Sequence, residues 1–131
     1  MAAYLWIALG SALGGMARYW CTDFITARFG AGFPWGTIFI NVLGSFIIGF
    51  FATLSGPDGR LVVGAHERLF VMVGLCGGYT TFSAFSLQTL DLIRGGNWLG
   101  ASGNIAASVI LCLVFVTLGH LAATFLNQTR I

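Results

Sequence analysis

The chain has 131 residues, of which 57% are hydrophobic and 8% charged, with a mean hydropathy of +0.90. A soluble domain carries about 25% charged residues, so too few polar side chains remain to cover a water-facing surface, and a soluble enzyme is excluded first. The net charge of +2 comes from arginines set singly at 18, 28, 60, 68, 94 and 130, which is not the basic stripe of a nucleic-acid interface.

A transmembrane helix needs about 20 mostly apolar residues. Four such stretches, at about 4–24, 33–54, 69–93 and 98–126, nearly exhaust the sequence and predict an all-α membrane protein with a single four-helix transmembrane domain over 1–131. The first stretch begins without a basic segment and stays apolar past residue 14, which argues against a cleaved signal peptide. It carries Gly10, Gly14 and Gly15 and then Arg18. That arginine either snorkels to the interface or supplies positive potential at the mouth of an anion pathway.

Ala31-Gly32-Phe33-Pro34 makes a turn before the second stretch. Within that stretch Thr37, Asn41 and Ser45 recur every four residues, forming a polar stripe. Ser55-Gly56-Pro57-Asp58-Gly59 closes it, and the third stretch follows with Gly77-Gly78-Tyr79-Thr80-Thr81-Phe82-Ser83-Ala84-Phe85 at its centre. Two glycines followed by two threonines weaken a helix, which predicts a break near Gly77 to Thr81. Carbonyls freed there must be buried in protein, line water or coordinate a cation; an unbroken helix with a glycine packing seam is the alternative. Phe82 and Phe85, three residues apart, lie on one face, and their positive ring edges allow contact with an anion.

After Arg94-Gly95-Gly96-Asn97, the fourth stretch repeats the polar spacing at Asn104, Ser108 and Cys112. Such stripes either bond helices together or line a polar pathway. No acid, lysine or histidine lies at the centre of any stretch, so a passive pathway fits better than a proton-coupled one. Cys21, Cys76 and Cys112 share no metal-ligand spacing and read as small packing residues. No constellation for hydrolysis or phosphate binding is present, so the chain is read as not an enzyme. The arginines divide almost evenly between the two ends, with Arg60, Arg68 and Arg130 against Arg28, Arg94 and Arg18. Either another factor fixes orientation, or the protein inserts both ways and pairs antiparallel.

The chain resembles the small bacterial fluoride channels called Fluc or CrcB. The residues that carry the resemblance are Gly10-Ser11-Ala12-Leu13-Gly14 leading to Arg18-Tyr19, Pro34-Trp35-Gly36-Thr37 leading to Asn41 and Gly44-Ser45-Phe46, and Gly77 through Ser86. The resemblance implies an antiparallel, dual-topology homodimer in the bacterial inner membrane, with two pores that pass fluoride passively out of the cytoplasm and relieve its toxicity. It further implies that Asn41, Phe82, Phe85, Ser83, Ser108 and, more weakly, Thr37 face the pore. A structural sodium ion would be held by the backbone carbonyls of Gly77 and Thr80. Asn104, Ala84 and Gln88 depart from the family pattern and leave the polar track's chemistry open. A four-helix drug or cation exporter, which would need a membrane-embedded carboxylate, and a structural subunit without a pathway are the competing readings.

Overall fold

A computed structural model describes residues 1–129, so Arg130 of the arginine count lies outside the described residues. Helix α1 (Ala2–Phe29) ends at Gly30, whose φ of 83° turns the chain out of the helix, and α2 (Trp35–Leu54) starts directly after Pro34. A loop rich in glycine leads to α3 (Ala65–Leu69), which continues as a π-helical stretch, Phe70–Cys76, and a final α turn, α4 (Gly77–Tyr79). After an extended pair at Thr80 and Thr81 come α5 (Phe82–Arg94) and α6 (Trp98–Gln128). Thr81 caps α5 by accepting from the Ala84 amide at 3.2 Å, and Asn97 caps α6 by accepting from Gly100 at 2.8 Å.

Which residues face each other gives the topology. Gly10 packs against Phe70 and Gly74, and Gly14 against Leu75 and Tyr79, so α1 runs parallel to the third span. Gly49 meets Val116 and Gly119 meets Phe46 and Phe50 at one level; Thr53 bonds His120 and Asn127 toward the C-terminal ends, while Asn41 and Ser108, earlier in the two helices, line one cleft, so α2 runs parallel to α6, with which it makes the most extensive packing in the chain. Gly36 lies on Thr22, which makes α2 antiparallel to α1. The result is an up-down-up-down bundle. In lipid, helices associate by close packing of small residues rather than by the hydrophobic effect, which is why glycines sit at these crossings.

Three segments, Trp35–Leu54, Ala65–Arg94 and Trp98–Gln128, are long and apolar enough to cross a membrane. The sequence reading gave four. Helix α1 has the length, at 28 residues, but its glycines, its aromatic residues and Arg18 dilute its apolar character below theirs.

Candidate functional site

The break falls at Thr80 and Thr81, whose φ/ψ pairs of −87°/160° and −154°/119° are extended. Gly77 and Gly78 remain helical, so the two readings of this stretch divide it between them. Gly78 forms the packing seam, since a Cβ there would lie 2.7 Å from the Ser11 carbonyl, Gly77 does not take part in it, and the threonines form the break.

Interrupting a helix orphans backbone groups, and each one at the break can be followed. Asn41 clamps the strand from α2, donating from Nδ2 to the Thr81 carbonyl at 2.9 Å and accepting the Thr81 amide on Oδ1 at 2.7 Å. In a continuous helix that amide would have closed on the Gly77 carbonyl, so Asn41 takes Gly77's helical donor away. Cys76 keeps its carbonyl satisfied by both the amide (3.0 Å) and the hydroxyl (2.9 Å) of Thr80. Nη1 of Arg18 donates to the Thr80 carbonyl at 3.4 Å.

Beside the break lies a cleft of about 370 Å³ lined by Asn41, Ser45, Thr80, Phe82, Phe85 and Ser108, among others. The ring centroids of Phe82 and Phe85 are 5.2 Å apart with planes tilted by 49°. Phe85 is 8% exposed, whereas Phe82 is 77% exposed and turns an open side away from the chain. Hydrogen-bond bookkeeping shows which groups could meet an anion. Ser45 and Thr80 spend their hydroxyl hydrogens on the Asn41 and Cys76 carbonyls. What remains is the second Nδ2 hydrogen of Asn41 and the phenylalanine ring edges, to which the Ser108 hydroxyl adds a donor when it gives up its long 3.3 Å bond to Asn104. All of them are uncharged donors.

Of the residues expected at the pore, the structure thus brings Asn41, Phe82, Phe85 and Ser108 into one cleft. It leaves Thr37 packed in the α2 interface at 2% exposure, and Ser83 outward, within 3.2 Å of the Thr81 hydroxyl. Arg18, expected at an interface or a pathway mouth, is half-buried and reaches the break, where Nη1 lies 3.4 Å from the Thr80 carbonyl. Gly77, expected with Thr80 at a sodium ion, lies on the open face of α4.

Asn104 and Thr89 carry a connection that the sequence reading missed. Asn104 is fully buried and donates to Thr89 Oγ1 at 2.8 Å; Thr89 in turn donates to the Phe85 carbonyl at 2.7 Å. With Ser108 donating to Asn104, a polar ladder runs from the cleft along the α5–α6 seam. One sequence signal was available: Thr89 and Asn104, like Phe85 and Ser108, stand at equal distances either side of the Gly96-Asn97 turn. One turn beyond Phe85, Gln88 Oε1 is buried without a hydrogen-bond partner among the described residues and borders a second cleft of about 350 Å³ that includes Asp91 and Asn97.

Among known proteins, the family described as CrcB-like protein, Camphor Resistance (CrcB), matches residues 5–120. A protein of Methylocella silvestris named fluoride-specific ion channel FluC is 61% identical over 127 residues, covering 97% of each chain. Proteins of the same name from Opitutus terrae and Rhodospirillum rubrum are 56% and 53% identical, covering 99% and 95% of this chain and 98% and 97% of their own.

Proposed function

Since the chain belongs to the CrcB family, we propose that it is a fluoride-selective channel of the bacterial inner membrane, letting fluoride leave the cytoplasm down its gradient. The observation that carries this reading is the cleft beside the break, where an amide, a hydroxyl and two phenyl rings converge without a charged side chain lining it. A small anion holds its water tightly and sheds it only where donors replace the hydration shell. Uncharged, individually weak donors do so without trapping the ion, which conduction requires. Nothing in this arrangement calls for an energy source.

The working unit in this reading is a homodimer of oppositely inserted copies with two pores. Two features support it: the open face of Phe82, which one copy leaves uncovered, and the matched arginines of the two ends. A structural sodium ion fits the backbone of the break. Asn41 diverts the helical donor of the Gly77 carbonyl, and the Thr80 carbonyl points at a cationic side chain, so both oxygens suit a cation. Sodium bound there would neutralise carbonyl dipoles where the helix is interrupted.

The test is efflux of fluoride against chloride from liposomes holding only this polypeptide, read with ion-selective electrodes. Fluoride should leave rapidly and chloride not at all. Phe82→Ile and Phe85→Ile should each lower fluoride efflux at least tenfold while the protein still elutes as a folded dimer. Efflux that is unchanged by both substitutions would sink the pore assignment, and no efflux from the wild type would favour a structural subunit.

A further inference from the structure

The ladder along the α5–α6 seam has a direction, and it is fixed at the Thr89 end. Thr89 donates its hydroxyl hydrogen to the Phe85 carbonyl at 2.7 Å, and a carbonyl can only accept. With that hydrogen spent, Thr89 Oγ1 can only accept from Asn104, so the group facing it at 2.8 Å has to be Nδ2. The Asn104 amide is thereby held in one orientation with Oδ1 turned to Ser108, and Oδ1 only accepts, so Ser108 has to donate. Asn104 is fully buried and Thr89 and Ser108 nearly so, which leaves little water to compete for these bonds. Of the three, only Ser108 lines the cleft, and the relay leaves it presenting lone pairs there while its hydrogen points back into the seam.

We propose that Thr89 and Asn104 are positioning residues that set the donor polarity of Ser108 and hold its hydroxyl hydrogen in reserve, so that the cleft binds fluoride more weakly than its residues would allow. The inference rests on the channel reading given above. An anion gains Ser108 as a donor only by drawing its hydrogen away from Asn104 Oδ1. At 3.3 Å, against 2.8 and 2.7 Å for the two bonds behind it, that is the bond that yields. A donor surrendered against a competing acceptor makes a weak site, and a weak site lets the ion leave, which conduction requires. Without the relay the same hydroxyl would donate to the ion at no such cost, tightening the site by the worth of about one net hydrogen bond, roughly twofold to tenfold in affinity.

The experiment measures the initial rate of fluoride efflux from liposomes as a function of internal fluoride concentration. Thr89→Val removes the hydroxyl and keeps the branched shape at a position that does not line the cleft. The Asn104 amide then loses what fixes it and can turn Nδ2 to Ser108, which releases the serine hydrogen to the cleft. The half-saturating fluoride concentration of T89V should fall roughly twofold to tenfold. Thr89→Ser keeps a hydroxyl for the Phe85 carbonyl and should match wild type. In a Ser108→Ala background T89V should change nothing, because the hydrogen it releases is no longer there; if S108A passes too little fluoride for a curve, the contrast of T89V with T89S decides. A purely structural role for Thr89 would lower stability in both backgrounds and leave half-saturation alone. Should T89V not fold, Asn104→Ala, which removes the acceptor of the serine hydrogen, carries the same comparison. A T89V half-saturating concentration equal to that of wild type, or an equal shift in T89S or in the S108A background, overturns the inference and leaves the channel reading standing. Absence of fluoride efflux from wild type removes the channel reading and the inference with it.

Discussion

Two asparagines inside this apolar chain do different work, and their substitutions should separate cleanly. Asn41 satisfies one backbone donor and one backbone acceptor of the same residue, Thr81, across two helices. Asn41→Ala orphans both, at about 1–3 kcal/mol for each buried group, so a loss of roughly 2–6 kcal/mol is expected, read by denaturant titration in detergent. Fluoride efflux should fall at least tenfold, because the break that shapes the cleft loses its clamp. Asn41→Asp keeps an acceptor for the Thr81 amide but sets a carboxylate against the Thr81 carbonyl; it should be no better than alanine for transport. Asn104 instead joins side chains on α5 and α6. Interhelical side-chain bonds in membranes average only ~0.6 kcal/mol, so Asn104→Ala should cost about 1 kcal/mol and leave the pore open. An Asn104→Ala loss as large as that at Asn41 would mean that the ladder, and not the clamp, organises the site.

At the scale of the helices, the glycine seam and the threonine break are separable features of one stretch. A methyl group on Gly78 would sit 2.7 Å from the Ser11 carbonyl and 3.0 Å from its Cα, backbone atoms that cannot rotate aside. Gly15, one residue from the seam, has nothing within 4 Å. Gly78→Ala should therefore lower the melting temperature by several degrees or prevent assembly, while Gly15→Ala should melt like wild type; equal behaviour of the two would contradict the seam. The sequence reading recovered the helices because long apolar runs between glycine- and proline-rich turns leave little choice in lipid. It placed α2 at 33–54 against Trp35–Leu54 and α6 at 98–126 against Trp98–Gln128. It cut α1 short at 24 because Arg28 looks like an interface residue, whereas the helix continues to Phe29 and stops only where Gly30 allows a positive φ. The break was legible in Gly77-Gly78-Thr80-Thr81, but which pair breaks the helix depends on Ser11 and Asn41 from other helices. The π-helical turn at Phe70–Cys76 has no proline or polar insertion to announce it. Thr89 was missed because a hydroxyl that also bonds its own i−4 carbonyl looks like any satisfied helical threonine.

For the molecule as a whole, the matched charge of its two ends bears most directly on assembly. The parallel pairing of α1 with the third span and of α2 with α6 puts the loop of Arg60 and the start of α3, with Arg68, at one end, and Arg28 and Arg94 at the other. Arg68 is partly spent there, donating to the carbonyl and hydroxyl of Ser55 at 2.7 Å and capping α2. Counting Arg130, which follows α6 in the sequence, the lysine and arginine bias that sets orientation is only three against two, so a few added charges should decide it. Ala31→Lys with Gly32→Lys loads one end at exposed positions with open space around Gly32; Pro57→Lys with Asp58→Lys loads the other, also exposed. Each double variant alone should insert one way, as read by one-sided labelling of an engineered cysteine, and should give little or no fluoride efflux, because no oppositely facing copy is present to pair with. Co-expression of the two should restore efflux towards the wild-type rate. If either biased variant conducts fully by itself, the antiparallel assembly is wrong, and a single copy, or copies facing the same way, must enclose the path along Asn41, Phe82, Phe85 and Ser108.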